Sequence, residues 1–150
     1  MKRIFCKIDR CLACRSCELA CAAIHEPRRP RIHVEAVDEK GMLHRMRAVA
    51  VQCRRCEEPA CAAACISGGI HKDETTGDIT VDLEKCVGCW SCIMVCPIGA
   101  IKRDEHSHRI LKCDSCASPD APLVQDAYAC IAACPTGALI LYEETVMENG

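Results

Sequence analysis

Cys86-Val87-Gly88-Cys89-Trp90-Ser91-Cys92-Ile93-Met94-Val95-Cys96-Pro97 decides the fold of this 150-residue chain. Its four cysteines are spaced C-x2-C-x2-C-x3-C, with proline after the last. Such a run binds [4Fe–4S] clusters: three thiolates hold one cube and the fourth reaches to a second. Outward from it, Cys11, Cys14, Cys17 and Cys21 repeat the spacing without deviation. Cys53, Cys56, Cys61 and Cys65 widen the middle gap, and Cys113, Cys116, Cys130 and Cys134 form a split group that also ends in Cys-Pro, at Pro135. Sixteen of the seventeen cysteines are used in this way. They imply four [4Fe–4S] clusters, with iron held through those sixteen thiolates.

The spacing suits the chemistry. C-x2-C-x2-C lets a loop wrap one cube and turn backbone N–H groups inward, where they stabilise cluster charge. The next cysteine rides a short helix that turns it toward the neighbouring cube, and a following proline fixes φ as the chain leaves. An extracellular disulfide framework would need a secretory signal, and Met1-Lys2-Arg3-Ile4-Phe5-Cys6 has no signal-peptide h-region. Structural zinc uses well-separated C-x2-C pairs and does not require a continuous four-cysteine run.

The hydrophobic fraction of 50% includes the seventeen cysteines; without them it falls to about two fifths, and only four residues are aromatic. So little large apolar surface makes a thin core, which the clusters are expected to fill. The formal charge of −2 treats the thiols as neutral; sixteen thiolates around four oxidised cores take the loaded chain to about −10. A nucleic-acid binder would present a net basic face, so none is expected. No stretch reaches 18 apolar residues, so no membrane span is expected, and the reducing cytoplasm is the expected compartment. Nothing reads as G-x-G-x-x-G or a P-loop, and no catalytic constellation stands out.

The fold class expected is α+β: two interleaved bacterial-ferredoxin-like modules packed around four clusters. Residues 1–150 would form one domain. An inner module of about 46–103 would be inserted in an outer module of about 1–45 plus 104–150. Cys96-Pro97-Ile98-Gly99-Ala100-Ile101 resembles Cys134-Pro135-Thr136-Gly137-Ala138-Leu139, with a weaker echo in Cys65-Ile66-Ser67-Gly68-Gly69-Ile70, as duplication would leave. Strands are expected over Arg3–Ile8, Ile32–Val37, Arg45–Val51, Ile79–Val81, Ile101–Arg103, Arg109–Lys112 and Leu139–Tyr142. Short helices are expected over Cys17–Ile24, Ala60–Cys65, Trp90–Cys96 and Ala127–Cys134.

The order of the four groups resembles the four-cluster electron-transfer subunits of complex oxidoreductases, such as the small subunits of formate dehydrogenases, dimethyl-sulfoxide reductase and hydrogenase complexes. Within that family, Cys65-Ile66-Ser67-Gly68 and the run Cys86–Cys96 look most like the ferredoxin-like partner of nickel carbon monoxide dehydrogenase. The resemblance implies nested ligand pairing. Cys11, Cys14, Cys17 and Cys134 would hold cluster one; Cys21, Cys113, Cys116 and Cys130 cluster two. Cys53, Cys56, Cys61 and Cys96 would hold cluster three; Cys65, Cys86, Cys89 and Cys92 cluster four. Two departures stand out: Ile66 replaces the proline after group two, and the gap from Cys116 to Cys130 is long. Neither removes a ligand. The resemblance further implies an electron relay with no catalytic site of its own, placed between carbon monoxide dehydrogenase and a downstream hydrogenase or pyridine-nucleotide oxidoreductase. The alternatives are a formate dehydrogenase, hydrogenase or aldehyde oxidoreductase complex, or a free-standing soluble polyferredoxin.

Outside the ligand set, Cys6 is expected to be a small buried residue of the first strand, with a fifth ligand as the rival reading. His25 is expected as a capped or exposed helix end, the rival being a contact to a cluster sulfur. Trp90 either shields a cluster or fills space. Arg28, Arg29 and Arg31 are expected in a solvated loop, the rival being a docking face for an acidic partner. His106 and His108 read as part of a polar turn.

Overall fold

The computed structural model describes residues 2–25, 29–37, 47–116 and 128–143. Strand β1 (Lys2–Cys6) pairs antiparallel with β8 (Leu139–Glu143), Lys2 opposite Glu143 and Cys6 opposite Leu139. Phe5 and Tyr142 meet edge to face across this pair at 5.8 Å. β2 (His33–Val37) pairs with β3 (Arg47–Val51), β4 (Ile70–Lys72) with β5 (Ile79–Val81), and β6 (Ile101–Asp104) with β7 (Arg109–Lys112), all antiparallel. These four sheets have two strands each, too few to be stable alone. Something other than the ladders must hold them together.

The helices are equally short. α1 (Ser16–Ile24) has nine residues; α2 (Ala60–Ala63), α3 (Ser91–Val95) and α4 (Ala129–Ala132) are single turns. α1 packs on α4 and α2 on α3. Isolated helices of this length do not persist in water, so their packing must sustain them.

Two apolar cores fill the interior. One joins Ile4, Ile32, Val34, Ala48, Ala50 and Leu139 to Cys17, Cys21 and Cys130. The other joins Ile70, Ile79, Ile101 and Ile110 to Cys92. The period of two along β3 puts Ala48 and Ala50 inward, small residues that leave room beside the cysteines. The first core draws on both ends of the chain and the second on its middle.

The expected elements are present, with shifted ends. The first strand stops at Cys6 because Ile8–Arg10 tightens into a 3-10 turn that delivers Cys11. The second helix stops at Ala63 rather than Cys65, leaving Cys65 free to start a turn. Part of the fourth expected helix, at Ala127, and the start of the third expected strand, at Arg45, lie outside the described residues. Strand β4 was not expected, because His71 and Lys72 hide a three-residue alternation. Its hairpin closes on Asp73, whose Oδ1 accepts the N–H groups of Thr75 at 2.7 Å and Thr76 at 3.1 Å.

Candidate iron–sulfur cluster sites

Four cavities open among the short elements, and each has four cysteines in its wall. The first, of about 320 Å³ counted to its mouth, is lined by Cys11, Cys14, Cys17 and Cys134, with Cys6 beside them. The second, about 290 Å³, is lined by Cys21, Cys113, Cys116 and Cys130. The third, about 360 Å³, holds Cys53, Cys56, Cys61 and Cys96; the fourth, about 340 Å³, holds Cys65, Cys86, Cys89 and Cys92. Among the described residues, no group of three or more His, Cys, Asp or Glu side chains is placed to hold one metal ion. The thiols surround a space instead of converging on a point, as a cuboidal cluster requires.

The backbone is shaped for an anionic guest. In the first C-x2-C pair of each group, the residue before the second cysteine has positive φ: Ala13 (55°), Arg55 (52°), Gly88 (69°) and Ser115 (62°). Three of the four are not glycine, so the conformation is held against its ordinary cost. Such left-handed residues turn successive N–H groups into a concavity that binds anions, iron–sulfur clusters included. At Gly88 the constraint is double, since an added Cβ would lie 2.4 Å from the carbonyl oxygen of His108.

The cysteines that close three of the groups share a second device. The N–H groups of Gly68, Gly99 and Gly137 donate to the carbonyls of Cys65, Cys96 and Cys134 at 3.2, 3.2 and 3.3 Å. Each glycine sits at a φ of 62–65°. The turn then aims the next N–H back at the sulfur: Ala100 donates to Cys96 Sγ at 3.3 Å and Ala138 to Cys134 Sγ at 3.2 Å. Around Cys65 the N–H groups of Ile70 and Gly69 serve the same end, and with the Ser67 hydroxyl they outweigh burial in lowering its pKa. The weak echo at Cys65–Ile70 therefore has the same turn geometry without the proline. Cys21 differs. It lies inside α1, and its sulfur accepts the N–H of Arg31 at 3.2 Å.

Hydroxyl groups two residues after a cysteine were missed in the sequence. Ser67 lies 3.6 Å from Cys65 Sγ, Ser91 3.5 Å from Cys89 Sγ and Thr136 3.7 Å from Cys134 Sγ. Ser16 hydrogen-bonds Cys14 and lowers its pKa, as Ser91 does for Cys89. The signal was there as a repeated Cys-x-Ser/Thr. All four contacts fall in the first and fourth cavities. The deeper thiols behave oppositely. Burial pushes Cys17 and Cys92 up to about 11 and Cys113 up to about 12. These sites hold protonated thiols until a cluster takes the sulfurs as thiolates, so loading releases protons.

Shared elements link the cavities in the order first, second, third, fourth: α1 carries Cys17 of the first and Cys21 of the second, Lys112 of the third precedes Cys113 of the second, and α2 with the turn after it carries Cys61 of the third and Cys65 of the fourth. Buried charges cross the middle boundary. Arg55, 8% exposed, reaches Asp78 Oδ1 at 2.5 Å and Ser115 Oγ at 3.1 Å. Lys112, 5% exposed, donates to the carbonyls of Ile79 at 2.5 Å and Cys113 at 2.9 Å.

Several expectations need correction. His25 is the capped helix end expected, but a buried one: it closes α1 with Nδ1 2.7 Å from the Cys21 carbonyl and 3.6 Å from its Sγ, is 2% exposed, and sets Nε2 3.1 Å from Asp114 Oδ1. Burial opposes its charge, yet the bonds to Asp114 and Cys21 prevail and raise its pKa to about 10. Arg29 and Arg31 do not lie in a solvated loop. Arg29 pairs with buried Asp104 and Arg31 with Asp114, tying this segment to two distant parts of the chain. Arg28 lies outside the described residues. Trp90 is half-buried in the wall of the fourth cavity, with the Arg103 guanidinium 4.8 Å above its ring. His106 and His108 do lie in the β6–β7 turn, where Asp104 Oδ1 accepts the His106 N–H at 3.1 Å.

Cys6 is half-buried rather than core, and its Sγ accepts the Ala50 N–H at 3.4 Å. Burial raises its pKa, and the charges of Cys11 and Cys134 add to the rise. Four other cysteines already ring that cavity. Cys6→Ala is therefore expected to keep the full iron and sulfide content and to cost about 1 kcal/mol of packing. Loss of one cluster in that variant, seen by iron assay and electron paramagnetic resonance, would make Cys6 a ligand.

Short α and β elements around four thiol-walled cavities define a small α+β ferredoxin-like iron–sulfur protein. Residues 44–144 match the 4Fe-4S dicluster domain, and the chain belongs to that family. It is 36% identical to an "Iron-sulfur protein" of Rhodospirillum rubrum, over 91% of this chain and 79% of the relative. It is 32% identical to "Electron transport protein HydN" of Escherichia coli K12, over 94% of this chain and 87% of that protein. It is also 32% identical to the B subunit of anaerobic dimethyl sulfoxide reductase of the same organism, over 87% of this chain and 68% of that subunit. The cofactor is the [4Fe–4S] cluster, and the rings of four thiols and the N–H groups turned toward the sulfurs fit it.

Proposed function

We propose that this chain is an electron relay without a catalytic site of its own, passing single electrons through four [4Fe–4S] clusters between two redox enzymes. The observation that carries this reading is the ring of four cysteines in each cavity, with the cavities neighbouring one another in a row. Bound clusters would supply one-electron reduction and oxidation. The protein's part is to supply sixteen thiolates, N–H groups that offset charge, and walls that exclude water. The proposed ligand sets are the nested ones, and the proposed architecture is two interleaved modules. Membership of the two cores, with Ala48 and Ala50 in the first and Ile110 in the second, supports switch points near the ends of β3 and β7 in place of the expected 46 and 103. Relatives named for electron transport and for a reductase subunit support the role as a subunit or partner of a larger enzyme. No described helix is long and apolar enough to cross a membrane.

The first cavity has exposed Cys14 and Leu12 at its mouth, and the fourth has exposed Cys89 and Val87. The middle cavities have no exposed cysteine. Electrons would enter and leave at the ends.

As donor we propose nickel carbon monoxide dehydrogenase, on the resemblance of Cys65–Gly68 and Cys86–Cys96, with a hydrogenase or pyridine-nucleotide oxidoreductase as acceptor and the cytoplasm as compartment. Anaerobically purified protein should carry about sixteen iron and sixteen sulfide. Under carbon monoxide, catalytic amounts of the dehydrogenase should bleach its charge-transfer band within seconds. Zinc without sulfide would end the cluster reading. Bleaching by formate or hydrogen with their own enzymes, but not by carbon monoxide, would leave the relay and remove this donor.

A further inference from the structure

Lys112 is the unusual charge in this molecule. Its residue is 5% exposed and sits in the wall of the third cavity. The partners of its ammonium among the described residues are two neutral carbonyl oxygens, of Ile79 and Cys113, and no carboxylate. The acids alongside are engaged elsewhere: Asp78, next to Ile79, faces Arg55, and Asp114 faces His25 and Arg31. A buried cation without a counter-charge is strongly disfavoured. The counter-charge available is the thiolates on either side. Lys112 shares the wall of the third cavity with Cys61 and precedes Cys113 of the second, so its ammonium stands between two sets of sulfurs that bound clusters would take as thiolates.

We propose, on the four-cluster reading above, that Lys112 is a positioning charge that raises the reduction potentials of clusters two and three together. It would thereby set the step across the middle of the relay. Each reduction brings one electron from a one-electron reductant, such as dithionite or a low-potential cluster of a partner enzyme. It adds one negative charge beside the ammonium, with no bond made or broken. A fixed cation at short range in a poorly solvated interior stabilises the reduced form more than the oxidised one. Arg55 stands at the same boundary but is paired with Asp78, so the charge of Lys112 has no equivalent there.

The test uses the full chain, purified anaerobically and titrated with dithionite through redox mediators, each cluster followed by electron paramagnetic resonance. Lys112→Met is expected to weaken the reduction equilibrium of two of the four clusters at least tenfold, about 59 mV for a one-electron couple. The other two should move less than threefold. Lys112→Arg, which keeps the charge, should restore most of the shift. Unchanged potentials in Lys112→Met, or an equal shift of all four, would overturn the proposal. Should the Met variant fail to load iron, loading by the Arg variant supports a charge requirement, and failure of both overturns it in favour of packing. Wild-type iron well below sixteen would sink the four-cluster reading on its own, before any variant is compared.

Discussion

Stripping the iron with a chelator under reducing conditions is expected to unfold the chain, not to leave an empty scaffold. The sheets have two strands apiece and three of the four described helices are single turns. No large side chain among the described residues is completely shut off from solvent, and the cores consist of isoleucine, valine, leucine, alanine and cysteine. Thiol-walled cavities open among these short elements, and bound clusters would fill them. Binding free energy in such a site is folding free energy, on the order of 10 kcal/mol or more for comparable structural metal centres. The apo chain should lose cooperative thermal unfolding, and its amides should exchange without protection. Regaining both on anaerobic reconstitution with iron and sulfide would close the cycle. An apo protein that still melts cooperatively would show that the two cores suffice alone.

The cysteines were legible in the sequence because their spacing is the chemistry: a loop must return three sulfurs to one cube, and few other sites need that. Strands such as Ile79–Val81 and Arg109–Lys112 were legible because alternation survives in short segments. Long charged side chains were not. Lys112, Arg55, Arg29 and Arg31 carry the residue types that ordinarily face water, and only the fold turns them inward. His25 was hidden for a related reason. Its place four residues after Cys21 says that it shares that helix face, while its burial depends on Asp114, from a distant part of the chain. The left-handed backbone at Ala13, Arg55 and Ser115 could not be read either, since only Gly88 carries the residue that announces it. Which cysteine returns to which cavity came from family resemblance, because spacing within a group does not say where its fourth sulfur goes.

That pairing gives the sharpest expected result. Replacing Cys11 or Cys134 with serine should remove or degrade the same centre, although these residues lie near opposite ends of the chain. Cys21 and Cys113 variants should share a different centre. In the inner pair, Cys96 should go with Cys53 and Cys65 with Cys86. Each variant should lose up to about four of sixteen iron, or convert one cube to a three-iron form, and lose one set of resonance signals while the other three persist. The structural basis is the β1–β8 pairing and the packing of α1 on α4 and of α2 on α3. The first pair of helices brings Cys21 to Cys130, and the turn after α4 swings Cys134 back to Cys11. A block arrangement, in which each group of four built its own cube, would give the opposite result: Cys11 would share a centre with Cys21, and Cys113 with Cys134. Cys134 and Cys113 variants losing the same signals, with Cys11 variants losing another, would therefore remove the interleaved architecture while leaving the four clusters in place.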